Sequence, residues 1–376
     1  MQHVRPLYAG STAARLGAGG HAGLWFDKFC DRWEEANGSL LLKAEGESNA
    51  KHAWLTSLVN NGGPQLGNKA QLQEAKIRHL RMIDCRAGRY QAFTTESRFV
   101  TGLGRPHPVE NGFAWHPTLA TPYLPGTAVK GLLRAWAYEE NIDPEKQRRL
   151  LGSGGSSGGS SGGSEQATVG ALCFLDAIPP APVKLEVDVL TPHYSGWTEA
   201  DPPGDWRSPV PIPFLVTAPK TELLFGIIPS VGSVSPAELE EVLSWLEDAL
   251  EWLGAGAKTA VGYGRFCRND SATTGYERVL ANEKRERRRA EAMKTPELRW
   301  RLEVEECDEK ALLELVRVRL EKDPIVDEAE RKIFIAAVEA RGFVDKWERG
   351  KTDSQFKPTP NRKKLKARAK LIRPPS

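Results

Sequence analysis

The chain has 376 residues, with 52 Lys and Arg against 49 Asp and Glu, so its formal net charge is only +3. A hydrophobic content of 40% and a charged content of 27% are ordinary for a globular chain and exclude wholesale disorder. The length accommodates two domains or one elaborated one. No run approaches the roughly 18 apolar residues of a membrane span, and the start MQHVRPLYAG lacks the apolar core of a secretion signal. The near-neutral sum hides a polarised layout: from Lys357 onward there are eight Lys and Arg and no acid, which leaves the first 356 residues at −5. Cys30, Cys85, Cys173, Cys267 and Cys307 are odd in number, far apart and never spaced C-x-x-C. That spacing argues against a disulfide framework or a cysteine zinc site and suits a reducing cytoplasm.

In chain order, glycines at 10, 17, 19, 20 and 23 make a flexible lead-in. An amphipathic helix is predicted next, Leu24 to Glu35, carrying Trp25, Phe26, Phe29 and Trp33 at helical spacing. Residues 37–68 are polar and read as a loop before a helix near 69–80. Alternation in RYQAFTTESRFV (89–100) predicts one or two strands. The proline-rich stretch from Gly102 to Pro125 reads as an ordered loop, and Thr127 as the N-cap of a helix reaching about Glu140. Residues 152–164 contain only Gly and Ser, a composition that buries nothing. Their near-perfect repetition favours an engineered replacement over a natural loop.

Strands are then expected in VGALCFLDAI (169–178), KLEVDVLTPH (184–193), PFLVTAP (213–219) and TELLFGIIP (221–229). Residues 195–213, rich in Pro, Gly, Trp and Asp, are too long for a tight turn. Ser235-Pro236 caps a helix running to Leu253, and a glycine loop leads into a last strand, YGRF. The succession of strand, helix, strands, helix and strand predicts an α+β fold with helices on one face of a sheet. Beyond Lys284, KRERRRAEAMK reads as a charged helical linker, followed by short amphipathic helices at 309–321 and 326–341 and a mobile basic tail. The expected organisation is an N-terminal lead-in with helices (1–80), a core (81–270), a helical extension (284–350) and the tail (351–376).

Two segments carry binding chemistry. In PYLPGTAVKGLLRAWA (122–137) a Pro-Gly turn opens a helix whose N-terminal N–H groups attract anions, with Lys130 and Arg134 on one face. The plainer reading is a capped core helix with solvated cations. In GAGAKTAVGYGRF (254–266), Gly254, Gly256, Gly262 and Gly264 permit close backbone approach, Lys258 and Arg265 supply charge, and Thr259 a hydroxyl. This is not a P-loop, because Ala257 stands where glycine is required and the loop runs from helix to strand. A purely structural loop is its plainer reading. Nothing in the sequence forms a metal box, a dinucleotide site or an activated nucleophile, so no cofactor is expected.

Taken together, the helix start PYLPG-T-x-x-KG-x-x-R and the late loop G-x-K-T-x-x-G-Y-G-R-F resemble the RAMP superfamily of CRISPR RNA-binding proteins. Further runs are similar to one branch, that of the sixth subunit of the Cmr (type III-B) effector complexes. They are AGLWFDKF (22–29), ESRFVTGLG (96–104), HPVENGF (107–113), TPHY (191–194) and DWRSPVPIPF (205–214). The resemblance covers residues 22–268 and leaves the segment after 284 without a counterpart.

It implies a ferredoxin/RRM-like RAMP domain with a glycine-rich loop, acting in antiviral defence within a ribonucleoprotein. Its implied partners are guide RNA, target RNA paired to the guide, and other RAMP and small-subunit proteins, with no membrane. In this branch the subunit caps the backbone filament and holds the 3′ part of the guide. The 195–213 excursion, with Trp197, Trp206 and Arg207, is the candidate thumb. RAMP relatives include metal-dependent and histidine-dependent ribonucleases. The corresponding loop here holds Glu110, His107 and His116 as weak catalytic candidates, although Pro106, Pro108 and Pro117 around the histidines favour a rigid structural loop. Three readings follow: a non-catalytic guide-RNA holder, a RAMP endoribonuclease, and a protein-only assembly adaptor.

Overall fold

The computed structural model describes Leu16 and residues 20–36, 39–42, 44–45, 48–61, 65–153, 168–191, 211–230, 234–292, 294–350 and 362–373. The chain divides into two compact units, Met1–Glu277 and Arg278–Ser376. The fold is mixed helix and antiparallel sheet.

The first unit opens with α1 (Ala22–Lys28), α2 (Ala50–Asn61) and α3 (Lys69–Cys85). Two expectations are corrected here. The aromatic helix stops at Lys28, because Trp33–Ala36 pairs as a strand with Ser39–Leu42. The polar stretch 37–68 is not simply a loop, since Trp54, Leu55 and Leu58 bury one side of α2.

The central sheet has four antiparallel strands in the order Phe266–Arg268, Arg89–Thr95, Glu222–Pro229, Leu172–Phe174. Leu223, Phe225 and Ile227 alternate onto one face with Phe93. There they meet Leu133 of α4 (Gly126–Glu139) and Leu246 and Leu250 of α6 (Pro236–Trp252). Ser235 caps α6 with a capping box closed by Glu238. Between these helices, α5 (Pro144–Leu151) starts on Asp143 and buries Leu150 and Leu151. The Gly/Ser stretch follows it, and its residues 154–164 lie outside the described residues.

The opposite face is covered too, which corrects the one-faced arrangement. A Cβ on Gly226 would stand 2.6 Å from Ile83 of α3. On that face the Tyr276 hydroxyl, near the start of α7 (Asp270–Ala292), donates to Glu222. The strands Leu185–Leu190 and Ile212–Thr217 form a separate two-stranded ribbon rather than joining the central sheet. Phe214, Leu215 and Val216 share a second core with Phe26, Trp54 and Leu58.

The second unit is helical: the later part of α7, then α8 (Pro296–Glu305), α9 (Glu309–Arg317) running into a π turn, α10 (Glu328–Ala340), α11 (Val344–Glu348) and α12 (Arg362–Ile372). Its core gathers Trp300, Val304, Leu312, Phe334, Trp347 and Leu365. Trp347 is wholly buried and donates its Nε1–H to Glu309 at 2.8 Å, which satisfies both polar groups. The expected charged linker is the second half of α7. The expected mobile tail is corrected as well: Leu365, Ala369 and Ile372 recur at helical spacing and are buried. No helix among the described residues is long and apolar enough to cross a membrane.

Candidate nucleic-acid interface

The two segments singled out in the sequence converge on one cleft of about 430 Å³. Pro125, Ala128 and Leu132 of the α4 start form one wall, Gly254–Ala257 and Thr259 the other, and Thr101–Arg105 the rim. The meeting follows from the strand order. The strand that α4 leads into and the strand that α6 leads into stand at opposite edges of the sheet, so both crossover helices lie on one face.

The α4 start is built differently from the expectation. Its N-cap is Pro125, and Thr127 is the second residue of the helix, exposed, with no capping bond from the side chain. The Gly126 N–H is taken by Asp176, whose Oδ1 accepts it at 2.7 Å. Ala128 and Val129 donate back to the Pro125 carbonyl. A protein carboxylate therefore already answers part of the helix-terminal charge. Gly126 is required for contact, since a Cβ there would stand 2.1 Å from the Phe174 carbonyl oxygen. Lys130 is half-buried and has no ion pair among the described residues. Arg134 is not a free cation, because one arm donates to the Leu151 and Gly152 carbonyls at 3.0 and 3.2 Å and closes the end of α5.

The glycine segment is held by backbone bonds to its neighbour. Ala257 donates to Val100, and Gly264 to Arg98, each at 2.8 Å. Gly264 adopts a φ of +70°, and a Cβ on it would stand 1.9 Å from the Ala255 oxygen. A Cβ on Gly256, whose φ is +92°, would stand 2.2 Å from the Val100 oxygen. These positions need glycine for both conformation and space. Gly254 and Gly262 also have positive φ. Lys258 is itself left-handed, with its ammonium 5.8 Å from the centre of the Phe214 ring. Arg265 donates to the Glu251 carbonyl at 3.0 Å, so it staples the loop to the end of α6.

Tyr263 ties the loop to the ribbon. Its hydroxyl donates to Asp188 at 2.6 Å, and Arg98 reaches the same carboxylate at 2.9 Å. Burial and the neighbouring carboxylate push the Tyr263 hydroxyl up to about 12. Arg98, Asp188 and Tyr263 thus form a fixed charged brace behind the loop.

The cleft has one cationic lining residue that the sequence reading passed over. Arg105 is exposed and has no ion pair among the described residues. No spacing rule marks it, because its position follows from the tight hairpin of Pro106–His107 with Glu110–Asn111. Asp176 was missed for the same reason, since it reaches Gly126 across 50 residues.

The catalytic candidates stand apart from this lining. The His107 side chain is 4% exposed and stacks on Phe26 at 3.9 Å. Its Nε2 lies 3.0 Å from the Phe26 carbonyl, and its Nδ1 accepts the Val109 N–H. Burial lowers its pKa to about 4, and the Lys28 charge acts in the same direction. Nδ1 of His116 accepts the Thr118 and Leu119 N–H groups, and burial lowers its pKa also. Glu110 pairs with Lys51 from a strained φ of +76°. Among the described residues no three His, Cys, Asp or Glu are grouped to hold a metal ion. The candidate thumb residues Trp197, Trp206 and Arg207 lie outside the described residues.

Comparison with known proteins adds a family context. The family model of the RAMP superfamily matches residues 92–267. The chain is 31% identical over 229 residues to the CRISPR system Cmr subunit Cmr6 of Pyrococcus furiosus, covering 46% of this chain and 66% of that protein. It is 27% identical over 163 residues to the Cmr6 subunit of Saccharolobus solfataricus, covering 42% and 48%. The chain therefore spans just under two thirds of the length of the first relative and about half of the second. Among solved structures, a chain of the type III-B Cmr-beta complex bound to cognate target RNA is 21% identical, with a TM-score of 0.44, over 61% of this chain and 77% of that one. The crystal structure of Cmr6 from Pyrococcus furiosus is 26% identical, with a TM-score of 0.29, over 48% and 97%.

Proposed function

We propose that this chain, whose residues 92–267 match the RAMP superfamily model, is a member of that superfamily and a non-catalytic guide-RNA-binding subunit of a cytoplasmic type III-B (Cmr) CRISPR effector complex. In this reading it caps the backbone filament and holds the 3′ part of the guide while the guide pairs with target RNA. The observation that carries the reading is the shared cleft of α4 and the glycine segment, with Arg105 on its rim. A groove made largely of backbone and small residues, with the single cation Arg105, can follow a sugar-phosphate chain of any sequence, which a carrier of variable guides requires.

The strand order supports a ferredoxin-like core. In chain order the central elements run strand, helix, strand, strand, helix, strand, and the sheet order is fourth, first, third, second. Within this proposal the Gly254–Arg265 segment is the glycine-rich loop of the family, and the 195–213 excursion is a thumb that displaces a base of the guide–target duplex. Other RAMP and small-subunit proteins are its neighbours. The histidine contacts favour the non-catalytic reading over the endoribonuclease, because both nitrogens of the buried His107 imidazole are engaged, one by the Phe26 carbonyl and one by the Val109 N–H.

The test is binding of a labelled single-stranded RNA by the full chain over a range of salt. Replacing Arg105, Lys130 or Lys258 by Ala is expected to weaken binding. Each lost phosphate contact should lower the slope of log affinity against log salt by about 0.7. Unchanged slopes in all three variants would favour the assembly adaptor instead.

A further inference from the structure

The helical unit offers a second surface of a different kind, and we propose that the exposed face of α12 binds the sugar-phosphate backbone of RNA without regard to sequence. This stands independently of the cleft. From Arg278 onward the chain has 27 Lys and Arg against 19 Asp and Glu, a net +8, whereas residues 1–277 sum to −5. The excess is concentrated: Arg362–Arg373 holds seven cations and no acid.

Helical structure turns this run from a diffuse charge into a face. Leu365, Ala369 and Ile372 are buried in the core of the unit, which fixes the rotation of the helix about its axis. Arg368 pairs with Glu321 at 2.9 Å, and Arg373 with Glu339 and Asp345 at 2.7 Å, so acids of the unit anchor one side and one end. Arg362, Lys364, Lys366 and Lys370 are exposed, and none has an ion pair among the described residues. Arg362, Lys366 and Lys370 recur every four residues, so they line one side of the helix at a rise of about 6 Å per step. Like charges at this spacing repel, and a bound polyanion relieves the repulsion while releasing its own counterions.

The chemistry of the face favours RNA over an acidic protein. Protein interfaces centre on aromatic and other apolar anchors and are depleted in Lys. The exposed positions of α12 are Arg, Lys and the single small residue Ala367.

The experiment uses the full chain and a fluorescently labelled single-stranded RNA of arbitrary sequence, titrated between about 50 and 200 mM salt. A triple Lys364→Gln, Lys366→Gln, Lys370→Gln variant is expected to bind about tenfold more weakly at the lowest salt. Its slope of log affinity against log salt should fall by about 2, the value for three lost contacts to a single strand. The three side chains are exposed, so the melting profile should match the parent, and the triple Lys→Arg variant should retain affinity and slope. A glutamine variant with parental affinity and slope overturns the proposal, even where it has lost a protein partner. The Arg105→Ala variant, measured alongside, reports on the cleft alone, so failure of one surface is distinguishable from failure of the other.

Discussion

The cleft of the first unit and the α12 face of the second meet a phosphate backbone by opposite means. The cleft belongs to a unit of net negative charge and relies on shape: glycines at positive φ, small lining residues, and Arg105. The α12 face relies on density of charge, with side chains whose only structural demand is that the other side of the helix be buried. The lesson is that net charge locates the second kind of surface and is blind to the first. Geometry should be the sensitive variable for one, and ionic strength for the other.

The largest expected effect comes from breaking the geometry. Gly264→Ala forces a Cβ against the Ala255 oxygen at a left-handed φ. It should destabilise the first unit by about 3 kcal/mol, measured by chemical denaturation, and abolish the cleft's share of RNA binding. The salt-sensitive share contributed by α12 should survive. Loss of both shares at once would break the comparison.

Acid should separate the two surfaces next. The imidazole of His107 ionises near pH 6.5 when unfolded and near 4 when folded, so the unfolded chain binds the extra proton between these values. Stability is therefore undiminished above about pH 6.5 and falls as the pH drops, the loss amounting to about 3 kcal/mol by pH 4. His116 and His79 are shifted in the same direction by burial. Thermal melts from pH 7 to 4 should show the first unit loosening, and a His107→Gln variant should flatten the dependence.

A smaller effect sharpens the contrast further. Arg105→Ala should weaken RNA binding by a few-fold, about 1 kcal/mol, with a salt slope lower by only about 0.7. The smallest effect is at Glu110. Its exposed pair with Lys51 contributes little, so Glu110→Ala should change stability by less than about 0.5 kcal/mol. It should also leave labelled guide and target RNA intact in the presence of Mg²⁺, and so should the parent. Cleavage by the parent that disappears in this variant would instead establish a ribonuclease.

Local signals were readable where one segment carried its own explanation. Ser235-Pro236 with Glu238 marks the start of α6, and the strand Glu222–Pro229 is a continuous apolar run. The same local reading failed where a remote residue does the work. Thr127 has the right side chain for a cap, yet Asp176 supplies the bond from another part of the chain. Arg134 and Arg265 read as phosphate ligands, yet both donate to nearby backbone carbonyls. The tail misled in the opposite sense, because its charges are conspicuous and Leu365, Ala369 and Ile372 among them are not.

By itself, then, the sequence determined the α+β succession, the two cation- and glycine-bearing segments, and the placement of the basic excess at the C-terminal end. Those depend on periodicity and composition, which are properties of neighbouring residues. Tertiary structure alone decided that the two segments share one cleft, that Arg105 lies on its rim, and which cations remain unpaired. Each of these is settled by contacts between residues far apart in the chain, and no local pattern encodes such contacts.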